Sequence, residues 1–538
     1  MSPLPGAPDE RVPADPSRWF LSASERGNPH TRVDERFGGD VAWSSDNEVE
    51  PLVDGATYFA ALLEELRTVG EGDLVLFTDW QGDAGQRLGE GEDTTILDVL
   101  GDAQSRGATV RGLVWRSHTN LAGFFHEANR HLGERLRRRG VPVVLDMRVR
   151  AGGSHHQKFV VIRRGAEPER DVAFVGGIDL AHNRRDDHLH EGDPQGRGLV
   201  PEYGERAAWH DVQVRLRGPV VHDVETVFRE RWDDPSPPSS APWRRLRDKL
   251  SDVRSRPDRL PEQLPAPPPA GARPVQLLRT YPALGGGRSL PYAPDGERSV
   301  ARGYLKALGN ARRLIYVEDQ YCWHHDGAQA LVDALRAHPE LRLVVVVPLL
   351  PDVGGVNRDA QVLARSRAVE ALTRAAPGRV TAYGLENRRS VPVYVHAKVT
   401  VVDDRWAAVG SDNFNRRSWT HDAELSAAVV DDDFARGLRL RLAAEHLDRL
   451  DAVERDGWHD AMADCLDPHD MADVYAKVAD ELEAWHRAGR TGPRPAGRLR
   501  HLPSPRISPV RRAVAGRLLD LVHDPDGRPR DLRRQGGY

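Results

Sequence analysis

The sequence feature that most constrains the fold is an internal repeat built around the tripeptide His-x-Lys. One copy begins at His155 with HHQKFVVI, and the other begins at His396 with HAKVTVV. In both copies an apolar strand, a polar turn and a second apolar strand follow, and a Gly-Gly or Gly-Ser step then precedes an acid or amide. The chain has 22 His and 5 Lys, so chance predicts only about 0.2 such tripeptides. The repeat therefore indicates a duplicated unit.

The stretch between the two copies divides the chain. From Asp233 to Pro274 the sequence is rich in Pro, Ser and Arg and has little periodicity, which is typical of an exposed linker. A length of 538 residues also exceeds what one minimal core needs. We therefore predict an N-terminal extension (1–50), a first unit (51–235), a Pro-rich linker (236–273), a second unit (274–455) and a basic C-terminal region (456–538).

Helix-like and strand-like segments alternate in both units. Ala56–Val69 has the apolar spacing of a helix and leads into the short apolar run Leu74–Phe77. In the second unit, Leu341–Val347 is an almost continuous apolar run, typical of a strand that is buried on both faces. This alternation predicts an α/β fold.

The spacing of His and Lys has a chemical meaning. Residues i and i+2 of a strand point to the same face, so His156 and Lys158 share one face, as do His396 and Lys398. An unpaired Lys is costly to bury, so such a face suits a cleft that receives an anion. Two such faces would surround a phosphate with two imidazoles and two ammonium groups. Neutral His can attack phosphorus, protonated His can protonate the leaving oxygen, and the cations offset developing charge.

These residues resemble a known motif. The pattern His396-x-Lys398-x4-Asp403, followed by Gly-Ser411 and Asn413, resembles the motif of the phospholipase D superfamily. Several flanking segments are similar to the true phospholipases D rather than to the superfamily at large: His155–Lys158, Gly176–Leu180, Trp209–Asp211, Tyr316–Tyr321 and Asn415–Ser418.

The resemblance implies a bilobal α/β fold with a pseudo-twofold duplication. Each lobe would be a β-sheet flanked by helices, with one active site at the lobe interface. It also implies metal-independent cleavage of a phosphodiester through a phosphohistidine. One of His156 and His396 would be the nucleophile and the other the general acid and then base. Similarity favours His156 as nucleophile, while the residues of the two halves leave both assignments open.

The resemblance also assigns roles around the histidines. Lys158, Lys398 and Asn413 would hold the phosphate oxygens, and Asp211 and Glu424 would each accept a hydrogen bond from the far ring nitrogen of a histidine. Glu318 and Gln320 follow an apolar strand, so they either line the pocket or mark an ordinary strand end. The predicted catalytic set is His156, Lys158, His396, Lys398, Asp403, Asp211 and Glu424. The predicted substrate-binding set is Asn413, Gly177, Ser411, Asp179, Glu318 and Gln320.

The first copy departs from the motif in one place. Arg163 stands where the motif expects Asp, and the separation of Lys158 and Gly176 is 18 residues, against 12 between Lys398 and Gly410. The lengthened turn contains Asp171, a candidate replacement for the missing carboxylate. We expect the first half to be active nonetheless.

The leading functional hypothesis is a phospholipase D that hydrolyses phosphatidylcholine-like lipids to phosphatidate and an alcohol, with possible transphosphatidylation. The alternatives are a nuclease, a phospholipid synthase or another phosphodiesterase of the superfamily, or a non-catalytic lipid-binding member. The net charge of −5 disfavours nucleic acid as a partner. Neither a metal nor a cofactor is expected, because there are only two cysteines and no nucleotide-binding glycine pattern.

Composition also gives expectations about location and membrane contact. The sequence shows no signal peptide and no run of 18 apolar residues, so we expect a cytoplasmic protein. From His486 to Tyr538 there are 13 Arg against 4 Asp, a local charge of +9. This basic region is either a solvated tail or a surface for anionic headgroups, and it makes peripheral membrane contact possible.

Overall fold

The computed structural model describes residues 14–118, 126–239, 258–322, 325–503, 507–519 and 524–538. The α-helices in these ranges are α1 (Pro16–Trp19), α2 (Ala23–Arg26), α3 (Gly55–Arg67), α4 (Ile96–Ser105), α5 (His126–Arg138), α6 (Val220–Trp232), α7 (Ser299–Asn310), α8 (His325–Ala337), α9 (Gly355–Ala375), α10 (Arg416–Thr420), α11 (Asp432–His446), α12 (Leu450–Ala461), α13 (Pro468–Arg487), α14 (Pro509–Leu518) and α15 (Arg530–Gln535). The strands are β1 (Ser44–Val53), β2 (Leu74–Asp79), β3 (Thr109–Trp115), β4 (Val143–Asp146), β5 (Phe159–Arg163), β6 (Val172–Gly176), β7 (Ala208–His210), β8 (Val212–Arg217), β9 (Arg273–Tyr281), β10 (Glu297–Arg298), β11 (Leu314–Glu318), β12 (Arg342–Val346), β13 (Val380–Glu386), β14 (Pro392–Val395), β15 (Val399–Val402), β16 (Trp406–Gly410), β17 (Glu424–Val430) and β18 (Leu499–His501).

The first lobe is built on a mixed sheet with strand order β4-β3-β2-β5-β6-β8-β1. The pairs β4–β3 and β3–β2 are parallel, and all further neighbours are antiparallel. Every residue of β2, LVLFTD, is buried, because α3, α4 and α5 cover one face of the sheet and α6 packs on the other. Strand β5, which follows the first His-x-Lys, pairs with β2 on one side and β6 on the other and therefore lies at the centre of this sheet.

The second lobe repeats the first strand by strand. Its order is β13-β12-β11-β15-β16-β17-β9, with the same two parallel pairs followed by antiparallel neighbours. The two sheets are joined where β1 pairs with β9, and again where β7 pairs with β14. The predicted α/β duplication, with a sheet and flanking helices in each lobe, is confirmed.

The largest apolar cluster lies between the two lobes. It combines Val161 and Val175 of the first sheet with Val401 and Val409 of the second, and Phe228 of α6 joins them. Separate clusters lie under the outer helices α3–α5 in one lobe and α7–α8 in the other. The lobes therefore share a core, which fixes how their two His-x-Lys segments face each other.

The C-terminal region packs onto the second lobe. Strand β18 pairs with β13, and the buried Arg498 donates to Asp448 Oδ1 at 2.9 Å. At the end of the chain, Arg302 Nη2 donates to the backbone oxygen of Tyr538 at 2.6 Å. Other arginines here are also in ion pairs: Arg494 and Arg500 with Glu386, and Arg528 with Asp326. These ion pairs neutralise part of the predicted basic charge.

The predicted division into five ranges stays a prediction. Strand β1 begins at Ser44, inside the segment 1–50, and residues 240–257 of the predicted linker lie outside the described ranges. In the part of the chain that the structure describes, no helix combines the length and the apolar character needed to cross a bilayer.

Candidate active site

The two His-x-Lys segments lie immediately before the central strands β5 and β15. Lys158 Nζ donates to the backbone oxygen of His156 at 2.9 Å, and Lys398 makes the same bond to His396. Both ammonium groups are almost fully buried, whereas His156 keeps 9% of its surface exposed and His396 4%. Each segment therefore presents an imidazole that solvent still reaches, backed by a buried cation.

Each segment is anchored by the opposite lobe. The backbone N–H of His156 donates to Ala423 O at 2.8 Å, and that of His396 donates to His210 O at 2.7 Å. Ala423 and His210 directly precede the two predicted carboxylates. The exchange is reciprocal, so neither half of the site is complete within one lobe.

The carboxylates cross over in the same way. His156 Nδ1 lies 2.9 Å from Glu424 Oε2, and His396 Nδ1 lies 2.7 Å from Asp211 Oδ2. Because Nδ1 of each ring is engaged by a carboxylate, Nε2 is the nitrogen available for chemistry. The structure thus brings His156, His396, Asp211 and Glu424 together at the lobe interface.

The electrostatics of the site favour neutral imidazoles. Burial, and then the ammonium groups of Lys158 and Lys398, hold the pKa of both histidines well below the usual range. Burial also lowers the pKa of Lys398 to about 8 and raises that of Glu424 to about 8. Since both lysines act on both rings, the two imidazoles and the two ammonium groups form one electrostatic unit that is suited to an anion.

The residues after each Gly step differ between the halves. Asp179 Oδ1 lies 3.8 Å from Lys158 Nζ and accepts from the backbone of Gln81. Asn413 holds the equivalent place in the second lobe, where its Oδ1 is buried and has no hydrogen-bond partner among the described residues. The first lysine is therefore partly neutralised by Asp179, while the equivalent residue of the second lobe has a buried amide oxygen with no hydrogen-bond partner among the described residues.

Two family models match the chain in succession. One, described as phospholipase D, covers residues 87–245, and one described as cardiolipin synthase, PLD-like domain, covers residues 304–444. Together they span more than half of the chain, and each contains one His-x-Lys and one of the crossed carboxylates. The chain belongs to the phospholipase D superfamily. Its lobes are therefore two copies of the superfamily domain, and such domains indicate an enzyme that acts on phosphodiesters.

Curated relatives and a solved structure add to this assignment. Phospholipase D alpha 1 of Arabidopsis thaliana is 25% identical in an alignment that is 578 positions long, gaps included. The alignment covers 80% of this chain and 70% of the relative. Phospholipase D alpha 1 of Zea mays is 25% identical, and the alignment covers 68% of this chain and 59% of the relative. The crystal structure of phosphatidylserine synthase from Haemophilus influenzae Rd KW20 shares the fold, with 14% identity, a TM-score of 0.50, and coverage of 86% of this chain and 98% of that one.

The second residue of the Gly-Gly or Gly-Ser pair in each lobe, Gly177 or Ser411, lies against one of the crossed carboxylates. A Cβ on Gly177 would lie 2.2 Å from Asp211 Oδ1, so only glycine leaves room for that carboxylate. At the equivalent place Ser411 Oγ donates to Glu424 Oε2 at 2.6 Å. Both residues, predicted to bind substrate, thus contact the carboxylates that orient the imidazoles.

Replacing Gly177 with alanine should therefore impair the function of His396 indirectly, by displacing the Asp211 carboxylate that contacts its ring. We expect turnover to fall by about 10²-fold, because the displaced Asp211 no longer fixes the imidazole, and the free energy of unfolding to fall by about 1–3 kcal/mol from overpacking. Gly38→Ala is the matched control, since nothing lies within 4 Å of a Cβ built there. Full activity of Gly177→Ala in a steady-state assay would contradict this role for the glycine.

Two tryptophans that are absent from the predicted catalytic and substrate-binding sets lie beside the two imidazoles. The Trp80 ring lies 5.6 Å from the ring of His156, and Lys158 Nζ lies 5.8 Å from the Trp80 centroid. The Trp209 ring lies 4.9 Å from that of His396. Trp80 directly follows the last residue of β2, and Trp209 directly precedes His210 and Asp211. Their closeness in sequence to strand ends and to a predicted carboxylate was the signal that could have identified them.

Gln320 and Arg184 also lie at the site. Lys398 Nζ donates to Gln320 Oε1 at 3.4 Å, which places Gln320 beside the second lysine. The guanidinium of Arg184 stacks 4.1 Å from the Trp209 ring and lies 3.4 Å from Asp179 Oδ2. Arg184 therefore adds a third positive group near the imidazoles.

Two predicted site residues are engaged elsewhere. Asp403 follows β15 at the end opposite Lys398, and its carboxylate accepts from the backbone N–H groups of residues 312, 313 and 314 at 2.7–2.9 Å. It holds the start of β11. Glu318 accepts from His210 Nε2 and His446 Nε2, each at 2.7 Å. The structure thus gives the carboxylates of Asp403 and Glu318 hydrogen-bond partners other than the imidazoles of His156 and His396.

Glu318 belongs to a buried network behind His396. His210 Nδ1 lies 3.1 Å from Asp54 Oδ1 and 3.0 Å from Glu445 Oε1, and His190 Nε2 lies 3.1 Å from the same Glu445 oxygen. These separations are hydrogen-bond lengths. We call this set the histidine network, and its members are Asp54, His190, His210, Glu318, Glu445 and His446. Because His210 accepts from His396 and precedes Asp211, the network supports one half of the site.

In the first lobe, where Arg163 replaces the Asp of the motif, Asp171 supplies a carboxylate with different contacts. Arg163 Nε donates to Asp171 Oδ2 at 2.6 Å, and the guanidinium also contacts Glu225. Asp171 Oδ1 accepts from the backbone of Arg164. The candidate carboxylate therefore folds back, but onto the turn after β5 rather than onto the start of a neighbouring strand.

Proposed function

We propose that this chain is a phospholipase D that hydrolyses phosphatidylcholine-like phospholipids through a phosphohistidine. The observation that carries the proposal is the pair of crossed contacts, His156 with Glu424 and His396 with Asp211. They leave two Nε2 atoms in one cleft with two buried ammonium groups. The phospholipase D model on the first lobe and the plant phospholipases D support the lipid substrate.

In the first step the phosphodiester lies between the lysines. Its negative charge offsets the ammonium groups, and this raises the pKa of one imidazole so that it takes up a proton at Nε2. The neutral Nε2 of the other imidazole attacks phosphorus, a P–N bond forms and the P–O bond to the headgroup breaks. The leaving oxygen takes the proton from the first ring, so it departs as an alcohol.

In the second step the same residues reverse their proton transfer. The ring that has lost its proton accepts one from an incoming water, whose oxygen attacks phosphorus while the P–N bond breaks. The products are phosphatidate and the free enzyme. Lys158, Lys398 and the Asn413 amide stabilise the phosphorane-like charge in both steps. An added alcohol in place of water gives transphosphatidylation.

A synthase is the second candidate. The model that matches residues 304–444 is described as cardiolipin synthase, PLD-like domain. A synthase would form the same P–N intermediate and pass the phosphatidyl group to a lipid alcohol. The two functions therefore differ only in the acceptor that the site admits.

Product analysis with competing acceptors tests the proposal. The purified chain is mixed with phosphatidylcholine, ethanol and EDTA, and choline, phosphatidate and phosphatidylethanol are measured. We expect choline release with both lipid products. Transfer to phosphatidylglycerol in preference to water would favour the synthase. No release from any phospholipid, with cleavage of DNA or RNA in the same buffer, would replace the proposal by a nuclease.

The pH dependence of the reaction follows from the lysines. Replacing Lys398 with methionine removes a cation that lowers the pKa of both imidazoles. The pKa values rise, so the acid limb of the kcat/KM profile is expected at higher pH, and kcat falls by about 10²–10³-fold through lost charge stabilisation. Lys477→Met on the exposed face of α13 is the matched control. An unmoved acid limb would contradict this account of the imidazoles.

A further inference from the structure

Apolar exposure is concentrated on two helices. Among the described residues, the large hydrophobic side chains that are exposed are Val356, at 39%, Val510, at 76%, and Val514, at 52%. Val356 lies in the first turn of α9, and the other two lie one turn apart on α14. Since all other large apolar side chains in the described ranges are at least partly covered, this clustering points to an interaction surface.

The two helices form one unit beside the active site. Ala360, Leu363 and Ala364 of α9 pack against Ala515 and Leu519 at α14. Tyr321 packs on the same cluster. It directly follows Gln320, the residue that accepts from the catalytic-site Lys398. A recess lined by Gln320, Tyr394 and the α9 residues Gln361 and Arg365 connects them further.

The charge around the valines is positive. Helix α14 reads PVRRAVAGRL and has no acidic residue. Arg511 bonds Asp359 at 2.7 Å yet keeps 56% of its side chain exposed, and Arg512 is exposed beside it. Apolar side chains flanked by arginines are the composition of a helix that lies in the headgroup layer of an anionic membrane.

We propose that these residues dock the enzyme on an anionic phospholipid surface. The docking patch, defined as Val356, Val510, Arg511, Arg512 and Val514, places its valines among the headgroups and the adjoining acyl chains. Because α9 lines the recess beside Gln320, the same contact holds the active site next to its lipid substrate. The inference rests on the proposed function, and it narrows the predicted membrane contact from the basic C-terminal region to one helix pair.

A double charge variant tests the patch. Val510→Asp with Val514→Asp removes apolar contact and adds repulsion from an anionic surface. We expect the affinity for vesicles of phosphatidylcholine and phosphatidylglycerol, measured by cosedimentation, to fall by about tenfold or more. Cleavage of the soluble phosphodiester p-nitrophenyl phosphocholine is expected to be unchanged. The matched control, Ala484→Asp with Ala488→Asp, adds the same charge at exposed sites at the end of α13.

A second variant gives a direct readout in a folded chain. Val510→Trp should show a blue shift of its fluorescence on adding the same vesicles, beyond any shift in the wild type. Equal vesicle binding by the double variant and the wild type would overturn the proposal. So would a dimer, seen by light scattering, that Val510→Asp dissociates, because the patch would then bind a second copy.

The docking test separates its own failure from failure of the proposed function. Vesicle binding is measured without turnover. A wild type that binds through the valines but releases no choline would refute the proposed function alone. A wild type that releases choline, beside a double variant that still binds vesicles fully, would refute the docking patch alone.

Discussion

Alanine at either His156 or His396 is expected to lower phosphatidylcholine turnover by at least about 10³-fold, because each ring makes or breaks a bond in both steps. Neither carboxylate can replace the lost ring, since both lie behind Nδ1 rather than beside the substrate. His131→Ala, on the exposed face of α5, is the control for loss of a histidine. Retention of substantial turnover by either active-site variant would refute the two-histidine mechanism.

The same two variants identify the nucleophile. With bis(p-nitrophenyl) phosphate, cleavage of either ester P–O bond releases p-nitrophenolate, which needs no proton, so a variant that lacks only the acid still forms the P–N bond. It then lacks the base that activates water, and the phosphoenzyme accumulates. The variant that lacks the nucleophile forms none. Intact mass at neutral pH distinguishes them, with the adduct expected in His396→Ala if His156 is the nucleophile. The reverse pattern would assign that role to His396.

Replacing Glu318 with glutamine is expected to produce the largest loss of stability. Burial disfavours charge on His210, but Glu318 and its neighbours outweigh this and hold the His210 pKa well above the usual range. Removing the Glu318 charge leaves a buried imidazolium short of a partner, at a cost of about 3–5 kcal/mol. The urea midpoint measures it, with Glu481→Gln on exposed α13 as control. An unchanged midpoint would contradict a charged histidine network.

The histidine network also makes stability depend on pH. Burial disfavours the charged form of His190, yet Asp54, Asp186 and Glu445 raise its pKa from 6.5 to about 9. The resulting stabilisation, on the order of 3 kcal/mol, is complete below about pH 6.5 and is lost as pH rises through about 9. The urea midpoint should therefore fall on the alkaline side. In His190→Gln this alkaline decline should be much smaller.

Much of the fold could be predicted because its signals are local. The apolar spacing at 56–69 becomes α3, and the runs Leu74–Phe77 and Leu341–Val347 become β2 and β12 with small changes at their ends. The duplication was visible because both copies keep their order of strands and turns. Packing of the C-terminal region was not visible, since arginines that read as a charged tail are paired with acids more than 30 residues away in the chain.

The site was only partly accessible to sequence reasoning. The His-x-Lys spacing is enough to predict that imidazole and ammonium groups share a face. Which carboxylate serves which ring depends on strands that exchange between the lobes, and no sequence spacing records that exchange. Glu318 illustrates the same limit: its place at a strand end was clear, but the histidines that hold it come from β7 and α11.

The reciprocal exchange between the lobes has an evolutionary consequence. A symmetric dimer of one such lobe would have to carry the same residue at both ends of its cleft, because one gene would encode both. Fused in one chain, the halves can mutate independently. Asp179 in the first lobe is equivalent to Asn413 in the second, Gly177 to Ser411, and Trp80 to Gln320. Covalent fusion thus permits a division of labour in which one end of the cleft adapts to the part of the phosphodiester that stays on the nucleophile, and the other to the leaving group and to the acceptor that takes its place.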